Sequence, residues 1–129
     1  MILVDTSAWV EFFRGRAPLC DAVDDALDAN EAALCGPVMT ELRRGLRSTA
    51  ERRRVLPLLA GCHWLADPAR LWEDAGDLGY YLARKGVTAK SIDLLIAAVA
   101  LTHGAAILTQ DHDFAAMKKA GVRLTISVP

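Results

Sequence analysis

Four acidic residues follow predicted strands or lie in predicted helices, at positions where the fold could bring them together. Asp5 directly follows the apolar run ILV, and Asp111 follows the apolar run AAILT. Asp93 stands in SIDLL and Glu41 in MTELRRG, two segments with helical patterns. The carboxyl ends of parallel strands share one edge of a sheet, and ligands bind at that edge. We therefore expect the four carboxyl groups to face the same edge.

A cluster of four carboxylates favours a hard divalent cation. At a separation of about 5 Å and an effective dielectric constant of ~20, two carboxylates repel each other by roughly 3 kcal/mol. A site with several such pairs must take up protons or a cation. An all-oxygen set of ligands selects Mg²⁺ or Mn²⁺ over zinc. Because few protein ligands leave coordination positions for water and phosphate, such a site suits metal-assisted hydrolysis of phosphodiester bonds.

Each acid also has an interpretation that involves no metal. Asp5 and Asp111 are well placed to cap helices, and Asp93 could complement a helix dipole. Glu41 could be an exposed helix residue. Asp5 is the hardest to explain in this way, because a carboxylate next to ILV loses hydration unless another group compensates.

The elements that would position these acids alternate along the chain. Apolar segments of strand length occur at 2–4, 32–35, 62–65, 105–109 and 122–128. Helical patterns occur at 6–15, 18–28, 37–60, 68–86, 90–104 and 110–121. Either Thr6 or Ser7 is a good N-cap for the first helix, and Pro57 should kink or end the third. Short apolar strands that alternate with helices predict a parallel sheet covered on both faces.

Composition narrows the class of protein. A chain of 129 residues with 53% hydrophobic and 24% charged residues fits one globular domain, residues 1–129. The three cysteines, Cys20, Cys35 and Cys62, lack metal-site spacing and indicate reduced thiols in a cytoplasmic protein. No basic segment precedes ILV, so we expect no signal peptide. The longest apolar run, LLIAAVAL, is too short to span a membrane.

Four segments together resemble the PIN-domain ribonucleases, specifically the VapC toxins of type II toxin–antitoxin systems. They are ILVDTSAWVEFF, PVMTELRRG, SIDLLIAAVA and ILTQDHDF, which occur in the order typical of the family and span nearly the whole chain. The resemblance implies a three-layer α/β/α sandwich with a central, mainly parallel sheet. It also implies an Mg²⁺- or Mn²⁺-dependent endoribonuclease, a small VapB-type antitoxin that blocks the site, and a homodimer.

The same resemblance assigns residues to the site. It implies that Asp5, Glu41, Asp93 and Asp111 are catalytic, with Asp5, Asp93 and Asp111 as the metal ligands. Three further residues are implied to support the site. They are Ser7 near Asp5, Thr109 in the turn before Asp111, and Asp113 in the DF pair that is typical of the family.

Six arginines form the densest basic cluster of a chain whose net charge is −1. They are Arg43, Arg44, Arg47, Arg52, Arg53 and Arg54. Arg43, Arg44 and Arg47 are predicted to contact the RNA backbone, because two of them lie within a turn of Glu41. The alternative is a solvated helix face.

Three aromatic residues recur at i, i+3 and i+4 on the first helix: Trp9, Phe12 and Phe13. This spacing favours core packing, with RNA stacking or a partner peptide as the alternatives. Trp72, Tyr80 and Tyr81 are predicted to serve packing or the dimer contact.

Two other function classes compete with the nuclease. An aspartyl-phosphate phosphotransferase would use Asp5 as nucleophile, but it requires a second acid two residues later, where this chain has Ser7. A non-catalytic PIN-like module would bind RNA or a partner without cleavage. The loss of an acid would favour that module, and all four acids are present.

Overall fold

The computed structural model describes residues 1–129. Its strands are β1 (Ile2–Val4), β2 (Ala32–Cys35), β3 (His63–Leu65), β4 (Ala106–Leu108) and β5 (Ile126–Ser127). Its helices are α1 (Thr6–Phe13), α2 (Leu19–Asp28), α3 (Gly36–Gly45), α4 (Thr49–Ala60), α5 (Leu71–Arg84), α6 (Ser91–His103) and α7 (His112–Lys119). The α/β/α sandwich expected from the sequence is confirmed.

The five strands form one sheet in the order β3-β2-β1-β4-β5, and every pairing is parallel. The chain builds outward from β1 through β2 to β3 and then returns to place β4 on the other side of β1. The strand order therefore reverses between β1 and β4. The crevice at such a reversal, outside the carboxyl ends of the strands, is the expected ligand site.

Helices cover both faces of the sheet. Leu3 and Val4 of β1 are both fully buried, as are Ile107 and Leu108 of β4. Successive strand residues point to opposite faces, so burial of both members of each pair requires cover on both sides. This explains why the central strands are apolar throughout and do not alternate with polar residues.

Trp9 and Phe114 are the largest fully buried side chains of the core. Trp9 confirms the expectation that the aromatic triplet of α1 packs inside, whereas Phe13 at the end of that helix is 37% exposed. None of the seven helices is both long and apolar enough to cross a membrane.

Two expectations about helices were wrong. The predicted helix over 37–60 is interrupted, because Leu46 adopts an extended conformation and Ser48 caps a new helix by accepting the Glu51 N–H at 3.1 Å. Pro57, which was expected to kink or end the helix, does not end it and lies inside α4. Buried Val55 and Leu59 on either side of Pro57 anchor this stretch to the core, which offsets the lost backbone hydrogen bond.

Two further boundaries differ from the sequence prediction. Helix α5 begins at Leu71 rather than Pro68, after a turn in which the Leu71 N–H bonds to the Pro68 carbonyl. Strand β5 contains only two residues, although the pattern predicted a strand over 122–128. As an edge strand it pairs with β4 alone, through Ile126 and Ser127, so its length is set by that neighbour.

A glycine pair tests the backbone of this fold. Gly104 ends α6 in the left-handed conformation with φ 63°, whereas exposed Gly76 lies inside α5, where an added Cβ would meet no atom within 4 Å. Gly104→Ala should lower the free energy of unfolding by about 1 kcal/mol. Gly76→Ala should raise it by roughly 0.5–1 kcal/mol. Urea unfolding of both variants measures these changes. The prediction would be contradicted if the free energy of unfolding changed in the same direction in both.

Candidate active site

Asp5 follows β1 and is the N-cap residue of α1, but its side chain does not cap the helix. It is buried, with 4% of its surface exposed. Its Oδ2 accepts hydrogen bonds from Ser7 Oγ at 3.0 Å and Thr109 Oγ1 at 2.9 Å. Burial raises the pKa of Asp5, and the bonds from Thr109 and Ser7 oppose that rise. The two hydroxyl groups thus fix the orientation of a carboxyl group that has little access to water.

The same hydroxyl groups join two loops. Thr109 Oγ1 also accepts the Asp111 N–H at 2.9 Å, and Ser7 Oγ accepts the Gln110 N–H at 3.1 Å. The two hydroxyl oxygens are 3.2 Å apart. Ser7 and Thr109 therefore connect the turn after β1 to the turn after β4, and the supporting role expected for both stays a prediction.

A second group of acids lies where α6 and α7 begin. Asp93, Asp111 and Asp113 each place a carboxylate oxygen within 4.8 Å of the other two. Asp111 caps α7 by accepting the Asp113 N–H on Oδ1 at 2.9 Å. The capping interpretation of Asp111 and the cluster are therefore both present in the structure. Asp113, expected only to support the site, belongs to this group of three carboxylates.

Asp93 is the least compensated of these acids. It is 5% exposed, and its buried Oδ2 has no hydrogen-bond partner. Its pKa is raised to about 7, first by burial, then by a hydrogen bond with the Asp113 carboxyl, and then by the negative charges of Asp111, Asp5 and Asp113. A buried carboxylate oxygen without a donor, among other acids, is the environment that a cation would satisfy.

Glu41 reaches the edge from α3. Its Oε1 accepts a hydrogen bond from Thr6 Oγ1 at 2.7 Å, and its negative charge contributes to the raised pKa of Asp5. The structure therefore brings together all four acids that the sequence singled out. The charge of Asp5 also contributes to the raised pKa of Asp93, so Asp5 interacts electrostatically with both Glu41 and Asp93.

Thr6 is the site residue that sequence reasoning missed. Thr6 and Ser7 were expected as N-caps, but α1 already includes both, and their hydroxyl groups bond to acids instead. The signal was present in the sequence, since two consecutive hydroxyl residues follow the acid that ends a buried strand. The acid that Thr6 bonds to, however, lies 35 residues away, and Ser7 also contacts Thr109, which lies 102 residues away.

The donor set at this edge is made of oxygen atoms, which fits Mg²⁺ or Mn²⁺. Cys35, at the carboxyl end of β2, is the nearby sulfur, and burial raises its pKa to about 12. A neutral thiol is a poor metal ligand, because the thiolate is the form that binds metals. The residues present therefore fit a hard cation and not a zinc–thiolate site.

The arginines predicted to contact RNA lie outside this cluster. Arg43 and Arg44 are exposed in the last turn of α3, and Arg47 is exposed in the turn that follows. None of the three has a carboxylate oxygen within 4.0 Å of its guanidinium nitrogens. Their contact with RNA stays a prediction.

An all-parallel α/β/α sandwich with acids gathered where the strand order reverses is the architecture of a PIN-type domain. The model of the PIN domain family matches residues 2–120, and the chain belongs to that family.

Its relatives are VapC proteins. The chain is 38% identical over 124 residues to ribonuclease VapC11 of Mycobacterium tuberculosis, with 88% of this chain and 89% of that protein covered. It is 32% identical over 124 residues to ribonuclease VapC5 of the same organism, with 89% and 86% covered.

Solved structures agree on the fold. The structure of VapBC-5 of Mycobacterium tuberculosis, a member of the VapBC family of toxin–antitoxin systems, matches with a TM-score of 0.67 at 30% identity, covering 98% of this chain and 97% of that chain. VapBC2 of Rickettsia felis, bound to a promoter DNA fragment, matches with a TM-score of 0.77 at 20% identity and 98% coverage of both chains. Because the identity to VapBC2 is only 20%, this match shows the shared fold and nothing more.

The unusual position of Asp93 leads to a prediction about stability and pH. Between its ordinary pKa of 3.8 and about 7, the folded state retains a proton that the unfolded chain has released. Its contribution to the free energy of unfolding therefore falls as the pH rises through this window. At pH 8 in a chelator, Asp93→Asn should be more stable than the original protein by roughly 1–3 kcal/mol, and the gain should shrink towards pH 4.

Chemical denaturation at pH 4, 6 and 8 measures this effect. Asp24→Asn, at an exposed position on α2, is the matched control and should change the stability by less than about 0.5 kcal/mol. A loss of stability in Asp93→Asn at pH 8 would contradict the prediction.

Proposed function

We propose that the protein is an endoribonuclease toxin of the VapC type, a single PIN domain over residues 1–129 that hydrolyses RNA phosphodiester bonds with Mg²⁺ or Mn²⁺. The observation that carries the proposal is the group formed by Asp93, Asp111 and Asp113, whose carboxylate oxygens lie within 4.8 Å of one another, together with a buried Asp93 oxygen that lacks a donor. Membership in the PIN domain family and VapC relatives named as ribonucleases support the substrate class.

The metal ligands we propose are Asp5, Asp93 and Asp111, and the short distances of Asp113 to the last two make it a further candidate. The bound cation would lower the pKa of a coordinated water and offset negative charge on the phosphate. Ser7 and Thr109 orient the Asp5 carboxylate through their hydrogen bonds. Their role is to keep that carboxylate in place before the substrate arrives.

Glu41 is suited to accept a proton from the water that attacks the phosphate. Its Oε1 is bonded to Thr6 Oγ1, so Oε2 lies outside that bond and can accept a proton. The low access of Asp5 and Asp93 to solvent strengthens every charge interaction at the edge. We propose that hydrolysis leaves a 5′-phosphate and a 3′-hydroxyl group.

The partners we propose are a small VapB-type antitoxin and a second copy of the chain, in the cytoplasm. The solved VapBC complexes that share this fold support the antitoxin. Trp72 and Tyr80 on α5 are 72% and 66% exposed, which supports a homodimer contact on that helix. The three cysteines are free, as expected of a protein in a reducing compartment.

The activity can be tested through Asp5. Asp5→Asn keeps the size of the side chain and removes its charge, so it should lower the rate of cleavage of an RNA substrate in Mg²⁺ by roughly a hundredfold or more. Asp24→Asn, prepared in the same way, should retain the original rate. Undiminished cleavage by Asp5→Asn would assign the activity to a contaminant or to another site.

The cation can be tested separately. In isothermal titration calorimetry, Mn²⁺ should bind the original protein and Asp24→Asn equally well. The affinity should fall about tenfold or more in Asp93→Asn and in Asp111→Asn. RNA binding without any Mn²⁺ uptake that depends on these carboxyl groups would favour the non-catalytic binding module.

A further inference from the structure

A groove leads away from the acidic edge between α1 and the turn that joins α3 to α4. It encloses about 450 Å³ and begins at Thr6 and Glu41, the hydrogen-bonded pair of the candidate site. Its apolar lining comes from both sides of the groove and consists of Val10, Phe13, Leu42 and Leu46. The groove is thus continuous with the site while having a different chemical character.

Three arginines line the same groove: Arg14, Arg47 and Arg54. Arg47 and Arg54 have no carboxylate oxygen within 4.0 Å, whereas Arg14 pairs with Glu11 at 3.7 Å. Glu51 is the other acid in the wall besides Glu41, and its Oε2 accepts the backbone N–H of Arg47 at 3.0 Å. The groove beyond Glu41 therefore offers guanidinium groups that are free to bind an anion.

The groove divides the arginine cluster of the sequence. Arg52, Arg53 and Arg54 are consecutive and all exposed on α4, yet of these three Arg54 alone lines the groove. Consecutive helix residues are about 100° apart around the axis, so Arg54 faces the groove while Arg52 and Arg53 do not line it. This arrangement provides a comparison between neighbouring residues of identical type.

Phe13 supplies an aromatic surface in the same groove. It is 37% exposed, and its ring stacks on fully buried Trp9 with the centroids 5.8 Å apart and the planes at 21°. Packing on Trp9 holds the ring in place, so little conformational entropy would be lost when a base stacks on its exposed part.

We propose that this groove binds single-stranded RNA beside the bond to be cleaved, with Arg47 and Arg54 on phosphates and Phe13 against a base. The inference rests on the proposed function and adds the path of the substrate to it. An aromatic platform flanked by cationic side chains is the combination that binds single strands. Because the groove opens at Glu41, a strand lying in it continues directly to the acids.

The test measures binding of a labelled, unstructured RNA oligonucleotide by fluorescence anisotropy at several salt concentrations. All variants carry Asp5→Asn, so that the RNA is not cleaved. Arg54→Gln should raise the Kd roughly three- to tenfold and reduce the slope of log K against log salt by about 0.7. Arg52→Gln removes the same charge two residues away on α4, at a position that does not line the groove, and should leave both quantities unchanged.

Phe13 gives an independent arm of the test. Phe13→Ala should raise the Kd about fivefold or more, and Phe13→Tyr, which keeps the ring, should restore binding. Thermal unfolding of both variants shows whether the fold is intact, and the tyrosine variant keeps the test valid if the alanine variant unfolds.

Equal effects of Arg54→Gln and Arg52→Gln would overturn the groove assignment, and so would tight RNA binding by Phe13→Ala. Groove variants that lose only their affinity for a protein partner would overturn it in favour of a peptide site. These outcomes are distinct from failure of the proposed function, which is decided by cleavage with Asp5 intact. In the protein with Asp5 intact, Arg54→Gln should raise the KM for RNA cleavage and leave kcat unchanged.

Discussion

Because β1 pairs in parallel with β4, two residues 104 positions apart in the chain leave the sheet side by side. The Asp5 N–H extends the ladder to the Leu108 carbonyl at 3.0 Å, and the Asp5 carboxylate accepts the Thr109 hydroxyl just beyond. Thr109 then accepts the N–H of Asp111, which places the start of α7. A one-residue slip of β4 would turn Thr109 to the opposite face of the sheet and separate Asp5 from that loop. The acidic edge therefore depends on the register of this single strand pair.

The two buried acids at the edge are stabilised unequally. Asp5 accepts two hydroxyl groups, whereas Asp93 has an oxygen without any partner. Since an ionised group in the interior loses its hydration, the Asp93 carboxylate disfavours the folded state of the chain alone. The apolar strands behind the edge contain no polar side chain that could turn towards it. A cation that binds the folded state would remove this unfavourable contribution. The same interaction that destabilises the chain alone would therefore increase its affinity for the cation.

Much of the sheet and most of the acids could be predicted from the sequence. The segments ILV and AALC were identified because strands buried on both faces are apolar without alternation. The break after Gly45 was marked in the sequence by Ser48 and Glu51, whose spacing is typical of a helix start, and this signal was overlooked. The continuation of α4 through Pro57 could not be predicted, because tertiary packing of Val55 and Leu59 outweighed local propensity. Thr6 was missed for a related reason. A hydroxyl group that follows an acid suits an N-cap locally, and only the approach of α3 shows that it bonds to Glu41. The sequence pattern thus did not show which residue of another helix or strand a given side chain contacts.

The distribution of charge explains how a chain of net charge −1 could act on a polyanion. The acidic edge repels phosphate unless a cation neutralises it, and global attraction is absent. Local attraction must then come from side chains that lie near the edge but apart from its acids, so that each set of charges acts on a different part of the substrate. Arg47 and Arg54 meet this requirement in the groove that opens at Glu41, since no carboxylate neutralises them. Attraction in the groove and repulsion at the edge together make the entry of a phosphate into the site conditional on the cation. An RNA strand could therefore bind along the groove before the site is loaded, but its scissile phosphate could approach the acids only afterwards.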